Sequence, residues 1–381
     1  MSNKNNSEKP RNEKLRNKLK NPFKFGSIVD NLYFTNRVEE LEQIKSILDS
    51  EVHLTMMSPR RYGKTSLIMK AIKEINRPVI LLDMQVVTSE IDFAEQLLKK
   101  IHKLFAYEKI KTLLKSFRIV PTVLINPISD EINISFNSNK SGDIALEDVL
   151  NLINKLSSKS KRLIVVFDEF QVIRKIEKGM ENRLRSILQH HTDINYVFLG
   201  SQESLIRDIF ENNKSPFYHF GYLFLLSKIP ESDFQTYLQK RLKNISKRYI
   251  EISKNILKFS KGHPYYTQQL AFSVWEELAH EEINKPVEIA IGKIVSHHDV
   301  DFERLWNTLN RTDMKILIGL ATSKNLPLSD IFLQNYNIGS SSTAYSSIMK
   351  LTREGLVNKS QNGYEIEDPF FRHWIIQKRN F

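Results

Sequence analysis

The sequence predicts an α/β fold, a parallel sheet of five strands covered on both faces by helices, followed by an all-helical segment and a C-terminal winged helix. Three observations carry that expectation. Five short apolar runs, "VHLTMM", "PVILLDM", "RLIVVFDEF", "INYVFLGS" and "GYLFLLSKI", are spaced by intervening stretches, several of helical periodicity, and strands that alternate with helices pair in parallel with both faces buried. From "PESDFQTYLQKRL" to "RLWNTL" the pattern is helical, with one punctuation mark at "KGHPYY". From Arg311 three short helical patterns precede "GLVNKSQNGYEIED", a hairpin turning at Asn362-Gly363, and helix, helix, helix, hairpin is the plan of a winged helix.

In chain order, "NLYFTNRVEELEQIKSIL" offers Thr35 or Asn36 as a helix cap, acidic residues in the first turn, and Leu41, Ile44, Ile47 and Leu48 at helical spacing. The strand "VHLTMM" follows, then the helical "TSLIMKAIKEI", the strand "PVILLDM" and the amphipathic "DFAEQLLKKIHKLF". "PTVLINPISDEINISFNSNKSGD" holds two β-like runs among turn residues and reads as a hairpin insertion near 118–140. "MENRLRSILQHH" is the helix between the strands "RLIVVFDEF" and "INYVFLGS". The expected division is a basic tail over 1–21, an α/β core over 22–226, a helical segment over 227–308 and the winged helix over 309–381. No internal repeat is evident.

With 381 residues the chain is long enough for two or three domains, and 41% hydrophobic content agrees with a folded, soluble protein. No run of 18 apolar residues occurs and the N-terminus lacks the apolar segment of a secretion signal, so a cytoplasmic location away from membranes is expected. The absence of cysteine excludes disulfides, thiol catalysis and cysteine-ligated zinc. Half of the +12 net charge lies in residues 1–24, where eight basic residues face Glu8 and Glu13. Such a tail, nearly free of apolar residues before Phe23, is expected to be disordered in isolation. It reads either as a polyanion-seeking arm for nucleic acid or acidic partners, or as a solubilising tail.

The chemistry concentrates at "SPRRYGKTS". A polyphosphate needs consecutive backbone N–H groups, a helix N-terminus, one flexible cation and one hydroxyl for Mg²⁺. Ser58, Pro59, Arg60, Arg61, Tyr62, Gly63, Lys64, Thr65 and Ser66 follow G-x-x-x-x-G-K-[ST] with serine in the first glycine's place, and a strand before and a helix after supply the context. Asp168 and Glu169 end the apolar run "RLIVVF", where one carboxylate can hold Mg²⁺ and the next can polarise an attacking water; an acidic pair at a solvated strand end is the plainer alternative. Gly200 and Ser201 end the next strand and bring a hydroxyl to the same edge of the sheet.

These residues resemble P-loop ATPases of the AAA+ and STAND type, in particular the archaeal-type ATPase family, over nearly the whole chain after the tail. "SPRRYGKTS" is similar to that family's Walker A loop, "VVFDEFQ" to its Walker B segment and "FLGS" to its sensor strand. "FTNRVEEL", with Arg37, resembles the motif beside the adenine, though Asn36 stands where glycine is common. "KGHPYY", with Pro264 near the base, looks like the family's lid element, and "IEDPFFRHWI" like the end of its winged helix. The resemblance implies an ASCE/AAA+ type core, a helical lid over 227–308, ATP and Mg²⁺ as ligands, and a sensor strand lying between the loop strand and the Walker B strand. The arginine that reaches a neighbour's nucleotide in related sequences is missing from "FYHFGYLFL", which carries Tyr222; Arg183, Arg185 and Arg207 are the substitutes at hand.

His190-His191 and His297-His298 invite a metal reading, but neighbours on a helix point about 100° apart and a metal needs converging ligands. The aromatic clusters "PFYHF" and "PYY" read as packing. The recognition helix "SSTAYSSIMKLTREGL" carries only Lys350 and Arg353 as cations, few for a groove-reading helix. The expected protein is an ATP-dependent switch, with slow or partner-dependent hydrolysis, in which Glu169, Lys64 and Ser201 act on ATP and Thr65 and Asp168 hold the metal. The alternatives are an initiator-like ATPase that binds DNA through the tail or winged helix, and a scaffold that holds ATP without turnover and presents the winged helix to a protein partner; a homo-oligomer is open to any of these readings.

Overall fold

The computed structural model describes residues 20–28, 33–125, 132–136, 142–280, 283–323, 326–360 and 363–379. Of the expected tail only Lys20 and Asn21 fall among them. The chain divides into two compact units, Arg37–Ser227 and Met1–Asn36 together with Lys228–Phe381.

In the first unit, strands β1 (Leu54–Met57), β2 (Val79–Asp83), β3 (Thr122–Ile125), β4 (Ile132–Ser135), β5 (Leu163–Asp168), β6 (Ile194–Gly200) and β7 (Tyr222–Leu225) include all five apolar runs. Five of them form one parallel sheet in the order β2-β5-β6-β1-β7. Every residue of β1 and β6 is buried, as are the first five of β5, which is why these strands read as nearly continuous apolar runs, broken only by Thr55 in β1 and Asn195 in β6. The register sets Met57 beside Gly200 and Phe167 beside Phe198, so β6 lies between β1 and β5 and the three carboxyl ends are neighbours.

The expected hairpin is the antiparallel pair β3-β4; its connection, 126–131, lies outside the described residues. It docks on the helix Glu90–Leu104, where Ile134 and Phe136 are buried and the Phe136 N–H donates to Glu95 Oε1 at 2.9 Å. The sequence reading passes from hairpin to β5 without a helix. The structure has one, Gly142–Leu156, whose Leu146, Val149, Leu150 and Ile153 share a core with Phe93, Leu97 and Ile101 of Glu90–Leu104.

The first helix also begins otherwise than expected. Neither Thr35 nor Asn36 caps it. Val38–Asp49 starts after Arg37, whose backbone is left-handed (φ 68°), with no side-chain cap bond. Both expected caps are engaged elsewhere: Thr35 Oγ1 accepts from Gln268 Nε2 at 3.3 Å and Asn36 Nδ2 donates to Asp233 Oδ2 at 2.7 Å.

The second unit contains the helices Glu231–Leu242, Tyr249–Ser260, Pro264–His280, Pro286–His297 and Asp299–Asn307. Residues before Arg37 pack within it: Phe23 is buried against the rings of Tyr237 and Trp275, and Asn21 Nδ2 donates to the Phe272 carbonyl at 3.1 Å. Helices Arg311–Thr322, Asp330–Asn335 and Ser341–Arg353 then precede the antiparallel pair β8 (Val357–Ser360) and β9 (Gly363–Ile366) and the helix Pro369–Lys378. This is the expected winged-helix order; Asn362 of the expected turn lies outside the described residues. Asp368 caps the last helix by accepting from the Phe370 and Phe371 N–H groups, and Phe370, Phe371, Trp374 and Ile375 are buried. Trp374 Nε1 donates to Asp299 Oδ1 at 2.7 Å, which ties that helix to Asp299–Asn307. No described helix is long and apolar enough to cross a membrane.

Candidate nucleotide site

The loop 58–66 leaves β1 and enters the helix Lys64–Ile75. Ser58 is fully buried, its N–H donates to the Gly200 carbonyl at 3.4 Å, and its hydroxyl donates to the Pro59 carbonyl at 3.1 Å. Its φ is not among the positive ones, so the backbone here makes no demand that only glycine meets. The left-handed backbone of the loop lies instead at Gly63, with φ 85°, and at Arg61, with φ 63°. Arg60 and Arg61 are exposed and Tyr62 is buried.

Lys64, the first residue of the helix, is buried, and its Nζ donates to the Ser58 carbonyl at 3.4 Å. Burial pushes its ammonium below the ordinary lysine range, against the raising pull of Glu169 and Asp168. Asp168 shows the converse. Burial raises its carboxyl, although Thr65 Oγ1 donates to its Oδ2 at 2.7 Å and the Glu169 N–H to its Oδ1 at 3.0 Å. Both charges are thus short of solvation in a place where a polyphosphate and a divalent cation would supply it. The hydroxyl of Thr65 and the carboxylate of Asp168 are hard oxygen donors of the kind Mg²⁺ takes alongside phosphate and water.

Glu169 has a left-handed backbone, φ 53°, a conformation that costs about 1–3 kcal/mol outside glycine and points to an over-determined position. Its Oε2 accepts from Ser201 Oγ at 2.5 Å and from Gln171 Nε2 at 2.5 Å. The three strand ends therefore bring Lys64, Thr65, Asp168, Glu169 and Ser201 together, as read from the sequence. Gln171, buried in the turn Phe170–Val172, is the member that the sequence reading missed; it stands in "DEFQ" in plain view, but a lone carboxamide carries no charge or metal-ligand signature.

Other candidates are placed differently. Arg37 is buried, and its guanidinium donates to Glu40 Oε1 at 3.0 Å and to the carbonyls of Ser227 at 3.0 Å and Tyr62 at 3.4 Å, so it braces the loop from behind. Pro264 belongs to the other unit, where it opens the helix Pro264–His280. There the preceding His263 pairs with Glu367 Oε1 at 2.9 Å, and Lys261 with Glu365 Oε2 at 2.8 Å. Arg183 pairs with Glu90, Arg207 with Glu203 and Glu211, and Arg185 lies over the Phe220 ring at 4.2 Å. Of the paired histidines, His191 Nδ1 shares a hydrogen bond with Tyr196 Oη at 2.7 Å, and burial lowers its pKa to about 4.

The raised Asp168 gives a testable sign. A carboxyl held above its unfolded value makes the folded state lose stability as pH rises through the unfolded and then the folded pKa. Asp168→Asn removes that charge and keeps an acceptor for Thr65, so the ligand-free melting midpoint at pH 7 should rise by about 1–3 °C, while Mg²⁺-dependent ATP binding weakens. Thermal melts with and without Mg-ATP check both arms.

Comparison with known proteins bears on the family and the fold. The profile of the ATPase domain predominantly from Archaea matches residues 34–270, and one described as a "probable winged helix domain" matches residues 300–377. An uncharacterized ATP-binding protein of Pyrococcus abyssi is 26% identical over an alignment of 187 residues that covers 45% of this chain and 54% of that protein, so the match spans little more than half the relative's length. Among solved structures, the Walker-type ATPase PAby2304 of Pyrococcus abyssi matches with a TM-score of 0.63 at 18% identity, covering 90% of this chain and 96% of that one. The ORC2 protein of Aeropyrum pernix, in its ADPNP-ADP complexes, matches at 0.54 and 15% identity, over 94% and 99%. Likenesses this distant speak for the fold alone. The profile, however, spans more than half of the chain and contains the loop, both carboxylates and β6: the chain belongs to the family of ATPase domains predominantly from Archaea.

Proposed function

We propose that the protein binds Mg-ATP in the loop 58–66 and hydrolyses it slowly, as an AAA+/STAND-like cytoplasmic switch. The observation that carries this is the joint placement of Lys64, Thr65, Asp168, Glu169 and Ser201 at three adjacent strand ends. In this reading the loop 58–66 holds the phosphates through Lys64 and the backbone N–H groups of Arg60 to Ser66, since Pro59 has none and that of Ser58 goes to Gly200, and Thr65 and Asp168 hold Mg²⁺. Glu169 takes the proton of the attacking water and Ser201 touches the terminal phosphate. Mg²⁺, when bound, supplies charge neutralisation on the phosphate oxygens. The proposed working parts are the core, read from the sequence over 22–226 although residues before Arg37 pack with the second unit, the helical lid over 227–308 with Pro264, and the winged helix over 309–381. ATP would bias their arrangement only as far as it binds one arrangement better than another. Phosphate release from ATP by the full chain, with and without Mg²⁺, tests the proposal; a protein that neither binds nor hydrolyses Mg-ATP rejects it.

A second output, DNA binding, is favoured by one observation, the +6 charge of residues 1–24. The winged helix offers less. Lys350 Nζ is committed to the buried Asp313 at 2.7 Å, which leaves Arg353 as the cation of that helix without a committed partner among the described residues. If the tail carries binding, affinity should be indifferent to sequence and fall by up to about 0.9 log units per log unit of salt for each phosphate neutralised. Deleting residues 1–21 removes seven of the eight cations and should flatten that slope while ATP turnover persists. Affinity that survives the deletion but is lost on substituting Lys350 and Arg353 would move the interface to the winged helix. No binding at low salt would leave a protein partner or self-assembly as the output.

A further inference from the structure

The structure assigns Gln171 as a positioning residue for hydrolysis: its side-chain amide holds the Glu169 carboxylate in line, and this rests on the reading of Glu169 given above. Glu169 Oε2 is shared by two donors, Ser201 Oγ and Gln171 Nε2, each at 2.5 Å. Ser201 is also the group proposed to turn towards the terminal phosphate, and a hydroxyl that does so gives up its bond to Glu169. Gln171 is then the donor that remains, and it sits two residues along the same turn, on a backbone already fixed by the left-handed Glu169.

The way Gln171 is buried argues that the amide serves this bond and not the fold. The residue is 4% exposed, and its Oε1 is buried with no hydrogen-bond partner among the described residues. A core position that wanted only volume would be better filled by an apolar side chain, because half of the carboxamide's capacity is desolvated for nothing. Room for it is made by Gly200 at the end of β6: a Cβ there would come 2.9 Å from Gln171 Oε1 and 2.1 Å from Ile206 Cγ1. The glycine of the sensor strand thus seats the amide that orients the carboxylate.

Gln171→Met separates the two roles, since it keeps the volume and removes the donor. The expected result is a melting midpoint equal to or above wild type, unchanged affinity for Mg-ADP and unchanged KM, and a kcat lower by about tenfold to a hundredfold, as for a catalytic group displaced by a fraction of an ångström. Because the residue acts through Glu169, the same substitution in a Glu169→Gln background should cost nothing further. Should Gln171→Met fail to fold, Gln171→Asn, which retains an amide too short to reach, is held to the same criteria. A kcat within about twofold of wild type, or a loss that recurs in full in the Glu169→Gln background, overturns the assignment. Those outcomes are distinct from failure of the reading beneath it: a fully active Glu169→Gln protein removes both, whereas an inactive one beside a fully active Gln171→Met removes the role of Gln171 alone.

Discussion

Lys64→Ala should abolish the stabilisation of the protein by Mg-ATP. With ligand at about 100 times its Kd the wild type gains roughly 2.7 kcal/mol, or about 5–10 °C in midpoint for a unit the size of Arg37–Ser227. The variant should gain nothing, because the ammonium that answers the phosphate charge is gone. Its ligand-free fold should survive. Lys64 gives the apo protein one long hydrogen bond, to the Ser58 carbonyl at 3.4 Å, and burial disfavours its charge, so truncation removes a burden together with a contact. Equal ligand-induced shifts in the two proteins would sink the phosphate-loop assignment; a melting scan over a series of Mg-ATP concentrations reads the result directly.

The legibility of this site in the sequence followed from a physical coincidence of signals. Lys64 and Thr65 are recognisable because strand, loop and helix surround them in order, and Asp168, Glu169 and Ser201 because each follows a largely apolar run. In a parallel sheet such ends fall on one edge. Ser58 departs from the first glycine of the pattern; the left-handed turns lie at Arg61 and Gly63, so the serine is asked only to be small and buried. What escaped the sequence depends on contacts made across long separations. Thr35 and Asn36 have the chemistry of helix caps, but Gln268 and Asp233 claim their side chains, and nothing local announces partners so distant. Lys350 reads as a free cation on a recognition helix until Asp313, on another helix, is seen to hold it. The helix Gly142–Leu156 is the exception. Its buried Ala145, Val149, Leu152, Ile153 and Leu156 keep helical spacing and were open to a periodicity argument, but the β-branched hairpin before it draws the reading towards strands.

Glu169→Gln should leave ATP bound and slow its hydrolysis by about 10²–10⁴-fold, the usual worth of a positioned general base. The substitution is conservative in every respect but one. A glutamine has the same reach, its carbonyl oxygen can accept from Ser201 and Gln171 as the carboxylate does at 2.5 Å, and the loop 58–66 is untouched, so phosphate and metal contacts remain. What it loses is the capacity to take a proton from water. The effect should therefore fall on kcat, with the Kd for Mg-ATP within about threefold of wild type. Single-turnover phosphate release measured beside equilibrium nucleotide binding separates the two. A variant that turns over as fast as wild type would show that Glu169 is not the water-activating group. If wild type and variant both bind ATP and neither releases phosphate, the chain is a holder of nucleotide, and the raised Asp168 and buried Lys64 serve affinity alone. Loss of binding together with turnover would mean that the carboxylate helps to hold the metal, a role that Asp168→Asn would then have to share.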